Sequence, residues 1–267
     1  MPHAVNDRQY LEKQYKDSSN LDARVRLHQR FSVNKVGWHR WIFDQFSLPP
    51  HCRILELGCG PGYLCLDNLD RLPAGWELTL SDFSAGMLEQ ARRNLKGARE
   101  FEFKVIDAQS IPLESASFDA VIANHMLYHV PDRPAALAEI RRVLKPTGTF
   151  YASTVGDRHL VKIYDLIKKF DPVLTSWGRV ADSFTLENGM AQLSPLFANI
   201  QLFRYADALE VTEVAPLVDY IFSGWAYIPV ERQAAFREFV AREMQSLGGV
   251  FRITKDSGLF VSVPKGA

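Results

Sequence analysis

The stretch "ILELGCGPGYLC", Ile54–Cys65, places Gly58, Gly60 and Gly62 within five positions. Leu55 and Leu57 precede the glycines and Leu64 follows them. A short apolar strand running into a glycine turn and then a helix is the local pattern of a nucleotide-like ligand site. The spacing is GxGxG. Tyr63 stands where a dinucleotide fingerprint would place its third glycine, which permits close helix–strand packing. No GK[ST] ending follows, so a phosphate loop of the Walker type is excluded.

Outward from this turn the chain alternates strand and helix. "RILELG", "WELTLSD", "FEFKVID", "FDAVIANH" and "GTFYAST" read as strands. Between them "YLCLDNLDRL", "SAGMLEQARRNLKG" and "RPAALAEIRRVLK" read as helices. Ser84 is the expected N-cap of the second, and Gly97 its C-cap. Single helices between strands imply a parallel sheet with helices on both faces. Right-handed crossovers then put every strand-to-helix loop on one edge of the sheet, where ligands bind. Upstream, "LDARVRLHQRF" and "KVGWHRWIFDQF" read as two helices capped by Asn20 and Asn34. Beyond residue 155, "IQLFRYADALEV" and "GLFVSV" supply two more strands. "HLVKIYDLIKKF", "LENGMAQLSPLF", "VAPLVDYIFSGW" and "VERQAAFREFVAREMQSL" read as helices. The expected fold is therefore α/β: a Rossmann-like, doubly wound, seven-stranded sheet. It carries an N-terminal helical segment over residues 1–50. The main domain spans 51–267, with helical insertions at about 157–198 and 210–248.

Three acids fall at converging loop ends: Glu56 in the first strand, Asp82 ending the second and Asp107 ending the third. An acid after the second strand accepts ribose hydroxyls in dinucleotide sites too, so Asp82 alone does not discriminate. Glu56, Asp107 and the absence of Lys or Arg from 54–70 do. A pyrophosphate is badly placed among carboxylates. A ligand carrying a sulfonium and an ammonium is well placed, because opposite charges attract strongly in a poorly solvated cleft.

With these features in place, the sequence resembles the class I S-adenosylmethionine (SAM)-dependent methyltransferases. It is most similar to the small-molecule, type 11 group that includes the ubiquinone/menaquinone-pathway enzymes. The resemblance rests on "ILELGCGPG", "LTLSDFSAGMLEQARRN", "VIDAQSIPLESASFDAVIANHMLYHV" and "EIRRVLKPTGTFYAST", in the family's order and spacing over about 53–154. It implies that SAM is the cofactor. The backbone from Gly58 through Cys59 and Gly60 to Gly62 would lie against its methionyl part, and Asp82 would bind the ribose. Phe83 and Met87 would flank the adenine, Asp107 would accept from its amino group beside Ala108, and Asn124 and His125 would face the sulfur. In this family the N-terminal segment often closes over the cofactor, which makes Tyr15 and His28 candidates there. Methyl transfer needs a base only when the nucleophile starts protonated. His125, Tyr128 and His129 of "NHMLYHVPD" are the candidates, His129 more as architecture than as catalyst. No metal is expected.

The rest of the chain sets bounds. It has 267 residues, 47% of them hydrophobic, enough for one substantial core. Its 31 basic and 31 acidic residues give no basic surplus for a nucleic acid. No apolar run reaches the ~18 residues of a membrane span. The polar start "MPHAVNDRQYLEKQYKDSSN" points away from a secretory signal. Cys52, Cys59 and Cys65 read as free thiols, so the cytoplasm is the expected compartment. The aromatic residues Phe170, Trp177, Phe184, Tyr220, Phe222, Trp225 and Tyr227 suggest a lid over an apolar pocket. The leading expectation is methyl transfer to a small, apolar or aromatic acceptor at O, N or C. Alternatives are a nucleic-acid or protein methyltransferase, an NAD-dependent oxidoreductase, or a SAM-binding protein without catalysis.

Overall fold

β1 (His51–Leu57) is the strand around which the sheet is ordered. In the computed structural model, which describes residues 19–174, 183–223 and 228–266, β1 pairs in parallel with β2 (Gly75–Asp82) on one side and β4 (Phe118–Asn124) on the other. β3 (Glu102–Val105) extends the first side, and β5 (Leu144–Val155) the second. β7 (Phe251–Pro264) runs antiparallel between β5 and β6 (Phe197–Val211), giving the order β3-β2-β1-β4-β5-β7-β6. The strand order reverses between β1 and β4, so the crevice beyond their carboxyl ends is the expected ligand position.

Side chains of β1 alternate between two cores. Ile54 joins Leu78, Leu80, Ile122 and Tyr151 on one face. Covering that face are α2 (Trp38–Asp44), α3 (Tyr63–Leu66) and α4 (Ala85–Asn94). Leu55 and Leu57 join Val121, Phe150 and Phe260 on the other face, under α5 (Arg133–Val143) and α7 (Gly189–Leu193). The sheet is thus covered on both faces, as an α/β doubly wound fold requires.

A third cluster lies away from the sheet. β6 and β7 stay paired beyond the end of β5, from Ala206↔Asp256 to Val211↔Phe251. Around this ribbon pack α1 (Ser19–Phe31), α6 (Val161–Phe170), α8 (Val214–Phe222) and α9 (Val230–Ser246). Leu27, Ile163, Leu217, Phe236, Leu209 and Ile253 form its centre. These helices build a cap beside the crevice.

Several local expectations are corrected. The helix expected over 63–72 is the single turn of α3. The Asn68 amide donates to the Leu64 carbonyl at 2.8 Å, taking the acceptor that the next turn would use. Asn20 falls inside α1 and not before it. Asn34 does not cap α2, which starts after Gly37. Its carbonyl oxygen accepts from Val36 N–H, and its amide donates to Ala206 O, tying the loop to β6. Ser84 does cap α4, accepting from Met87 N–H at 3.3 Å. No helix among the described residues is long and apolar enough to cross a membrane.

Candidate functional site

The glycine turn is held open by its neighbours. Cys59 N–H donates to Ser81 O at 2.8 Å, and Gly60 N–H donates to Asp82 Oδ2 at 2.9 Å. Ser84 N–H donates to Asp82 Oδ1 at 2.8 Å. Phe83 N–H bonds the same carboxylate, so three backbone donors hold it and it cannot rotate away. Burial raises its pKa against the pull of these backbone donors. Gly58 has φ +67°, and a Cβ there would lie 2.7 Å from Met126 Cβ, so glycine is required twice over.

The turn opens into a cleft of about 1720 Å³ at the β1/β4 crossover. Pockets for one small ligand span roughly 300–1,000 Å³, so this volume leaves room for a second molecule. Glu56, Gly58, Cys59, Gly60, Asp82 and Phe83 line it, as do Met87, Asp107, Ala108, Asn124, His125, Tyr128 and His129. The three acids read from the sequence do converge. Gly62 does not line the cleft. Its φ is +78°, and a Cβ there would press on Leu95 at 3.0 Å, so its place is the packing of α3 against α4. Tyr15, Trp177, Trp225 and Tyr227 lie outside the described residues.

Glu56 is 2% exposed, and its Oε2 is buried without a hydrogen-bond partner. Burial first, and the nearby Asp82 second, push its carboxyl up to about 8. Such a group lacks a cation, and the cleft is where one would enter. Asp107 is oriented by Gln109, whose backbone and side-chain N–H groups each donate to Oδ1 at 2.9 Å. Burial, with Glu56 and Asp82, raises the Cys59 thiol well above its usual range, so it is no nucleophile.

Across the cleft, Asn124 Oδ1 accepts from Trp38 Nε1 at 3.1 Å and from Ser153 Oγ at 2.6 Å. The same Ser153 oxygen accepts from His125 N–H at 2.9 Å. His125 has φ +53°, a strained value for a side-chain-bearing residue, and its ring lies 4.8 Å from that of Trp38. Burial, reinforced by His39, Lys255 and His129, pulls its pKa down to about 3. Burial thus favours the neutral form of the His125 ring.

The aromatic lid is also corrected. Phe184 belongs to the sheet core, while Phe170 and Phe222 pack within or against the cap cluster. Of the described aromatics named from the C-terminal half, Tyr220 lines the cleft. Sequence reasoning missed Trp38, whose helical spacing reads as plain core. It also missed Lys255 and His159, which reach the cleft from β7 and from the turn before α6. Charged residues inside an apolar strand were the available signal for Lys255.

Residues 55–152 match the family model described as "Methyltransferase domain". This segment holds the glycine turn, Glu56, Asp82 and Asp107. The segment is similar to methyltransferase domains, and the seven-stranded sheet around it is the arrangement of their class I type, whose cofactor is SAM. The chain is 38% identical over 105 residues to a malonyl-[acyl-carrier protein] O-methyltransferase from Geobacter sulfurreducens, covering 39% of each chain. It is 32% identical over 111 residues to a ubiquinone/menaquinone biosynthesis C-methyltransferase from Desulfotalea psychrophila, covering 42% of this chain and 44% of that one. The chain thus spans less than half the length of these curated relatives. The crystal structure of the [4+2]-cyclase SpnF shares the fold at 17% identity and a TM-score of 0.60, over 99% of this chain and 98% of that one. Beyond this matched segment, the cap and the N-terminal helices supply the other wall of the cleft.

Proposed function

We propose that the chain transfers the methyl group of SAM to a small-molecule acceptor held in the same cleft. The observation that carries this is Glu56, a buried carboxyl with an unpartnered oxygen at the end of β1. An ammonium satisfies it, whereas a pyrophosphate would leave it worse off. The single-turn α3 also offers little helix dipole to a pyrophosphate, which weighs against a dinucleotide.

When bound, SAM supplies a methyl carbon on a sulfonium, which an acceptor lone pair displaces in line, the C–S electron pair returning to sulfur. In this reading Glu56 takes the ammonium, and the Gly58–Cys59–Gly60 backbone lies along the methionyl chain. Asp82 accepts the ribose hydroxyls. Phe83 and Met87 flank the adenine, with Asp107 and Ala108 at its amino edge. Asn124, fixed by Trp38 and Ser153, orients the transfer side, and His125 positions groups there. Tyr128 and His129 are the residues to accept a proton from a protonated nucleophile. Of the N-terminal segment, α1 and α2 close the cleft over the cofactor, a role supported by Trp38 bonding across to Asn124. The remainder, 51–267, acts as one catalytic unit with its helical insertions forming the cap. Aromatic faces at Trp38, Tyr128 and Tyr220 support a partly aromatic acceptor. The balanced charge supports a small molecule over a nucleic acid.

Because the fold also carries other activities, the test must read methyl transfer itself. The chain is incubated with methyl-labelled SAM and a panel of small acceptors. The proposal expects label in an acceptor with equimolar S-adenosylhomocysteine. SAM binding with no acceptor labelled across the panel would favour a binding protein.

A further inference from the structure

The residues lining the cleft fall into two groups by chemistry. Glu56, Asp82 and Asp107 are carboxyls. His28 on α1, His125 after β4, His159 before α6 and Lys255 on β7 form a second group, each ring near enough to Lys255 to feel its charge. Lys255 has a side chain only 7% exposed. Its ammonium lies 2.5 Å from Asp207 Oδ2 and 3.4 Å from Ser32 Oγ. Asp207 is not among the residues lining the cleft, whereas Lys255 and Ser32 are.

The imidazoles have a defined polarity. His159 Nδ1 accepts from Asp256 N–H at 3.1 Å, with Ser257 Oγ at 3.3 Å, so its ring proton sits on Nε2. The Nδ1 atoms of His28 and His125 are buried with no partner. A buried N–H without an acceptor is tolerated less well than a bare lone pair, which places their protons on Nε2 as well. Burial and the nearby Lys255 keep the three rings neutral. Each ring then carries its donor at Nε2, and all three residues line the cleft.

A set of donors takes a group that only accepts. We infer that the methyl acceptor carries a carboxylate that sits against His28, His159 and Lys255, with its apolar part against Trp38, Tyr128 and Tyr220. This rests on the reading above, in which the three carboxyls hold SAM. It sharpens the apolar acceptor expected from the sequence into an amphipathic anion.

The test uses the full chain saturated with S-adenosylhomocysteine, titrated with benzoate and with benzamide, its neutral isostere. Benzoate is expected to bind at least about tenfold more tightly, as charge-assisted hydrogen bonds are the stronger ones. His28→Asn should bring the preference below about threefold. The double substitution Lys255→Met with Asp207→Asn, which leaves no buried charge unpaired, should do the same. Both variants should keep S-adenosylhomocysteine affinity. Equal binding of the two probes, or an undiminished preference in both variants, overturns the inference alone. A chain that does not bind S-adenosylhomocysteine at all overturns the methyltransferase reading on which it rests.

Discussion

Glu56 is a carboxyl in surroundings that oppose its charge, and this one residue ties stability to ligand binding. Its folded pKa of about 8 stands well above the usual carboxylate range. Between those values the folded chain without cofactor holds a proton that the unfolded chain does not. The stabilisation is therefore complete below the usual range and is lost as pH rises through about 8. Glu56→Gln should flatten the fall in melting temperature between about pH 5 and pH 8 relative to the parent. Equal slopes would mean that Glu56 is already ionised. When an ammonium arrives, Glu56 must release about one proton near pH 6.5. The heat of SAM binding should then depend on the buffer's ionisation enthalpy in the parent and not in Glu56→Gln. Gly58→Ala faces both a left-handed φ and the Met126 contact. It should lose about 2–4 kcal/mol in denaturant titrations and weaken SAM binding. A loss under about 0.5 kcal/mol would show that the turn can relax. The acids were legible in the sequence because each stands at a strand end in a local pattern. The unpaired state of Glu56 was not, since it depends on which atoms fill the space around Oε2.

At the scale of elements, the sheet, the turn and the Ser84 cap were readable because their signals span only a few residues. The cap was less so. Its base is a ribbon pairing Ala206–Val211 with Phe251–Asp256, and nothing local says that these strands continue past β5. Ser32, the residue after α1, joins them through a bridge to Leu209, far along the chain. Periodicity showed that α6, α8 and α9 are helices but could not show what their apolar faces meet. Phe236 on α9 is fully buried, with its ring 5.1 Å from Phe170 and 6.0 Å from Phe222. Phe236→Ala should lower stability by about 3–5 kcal/mol through the cavity it leaves. Chemical denaturation checks this, and a change below about 1 kcal/mol would indicate a cap loosely joined to the sheet. The same packing explains why most aromatics of the C-terminal half serve the core and leave Trp38 and Tyr220 to the cleft.

At the scale of the whole molecule, the segment matched by the family model provides the three carboxyls of the cleft, while the cap, α1 and β7 provide most of the imidazole and ammonium donors. Net charge, near zero over the chain, hides this difference. The fold brings Lys255 and His159 to the site from positions nearly a hundred residues apart, which is why no motif announces them. The carboxyls decide the cofactor. Asp82→Ala should remove most SAM affinity, since two hydroxyls lose their acceptor and the glycine turn loses an anchor. The most direct measurement is calorimetric titration of the full chain with SAM, S-adenosylhomocysteine and NAD in turn. The account predicts saturable one-to-one binding of the first two and none of NAD. Binding of NAD with none of SAM would contradict it.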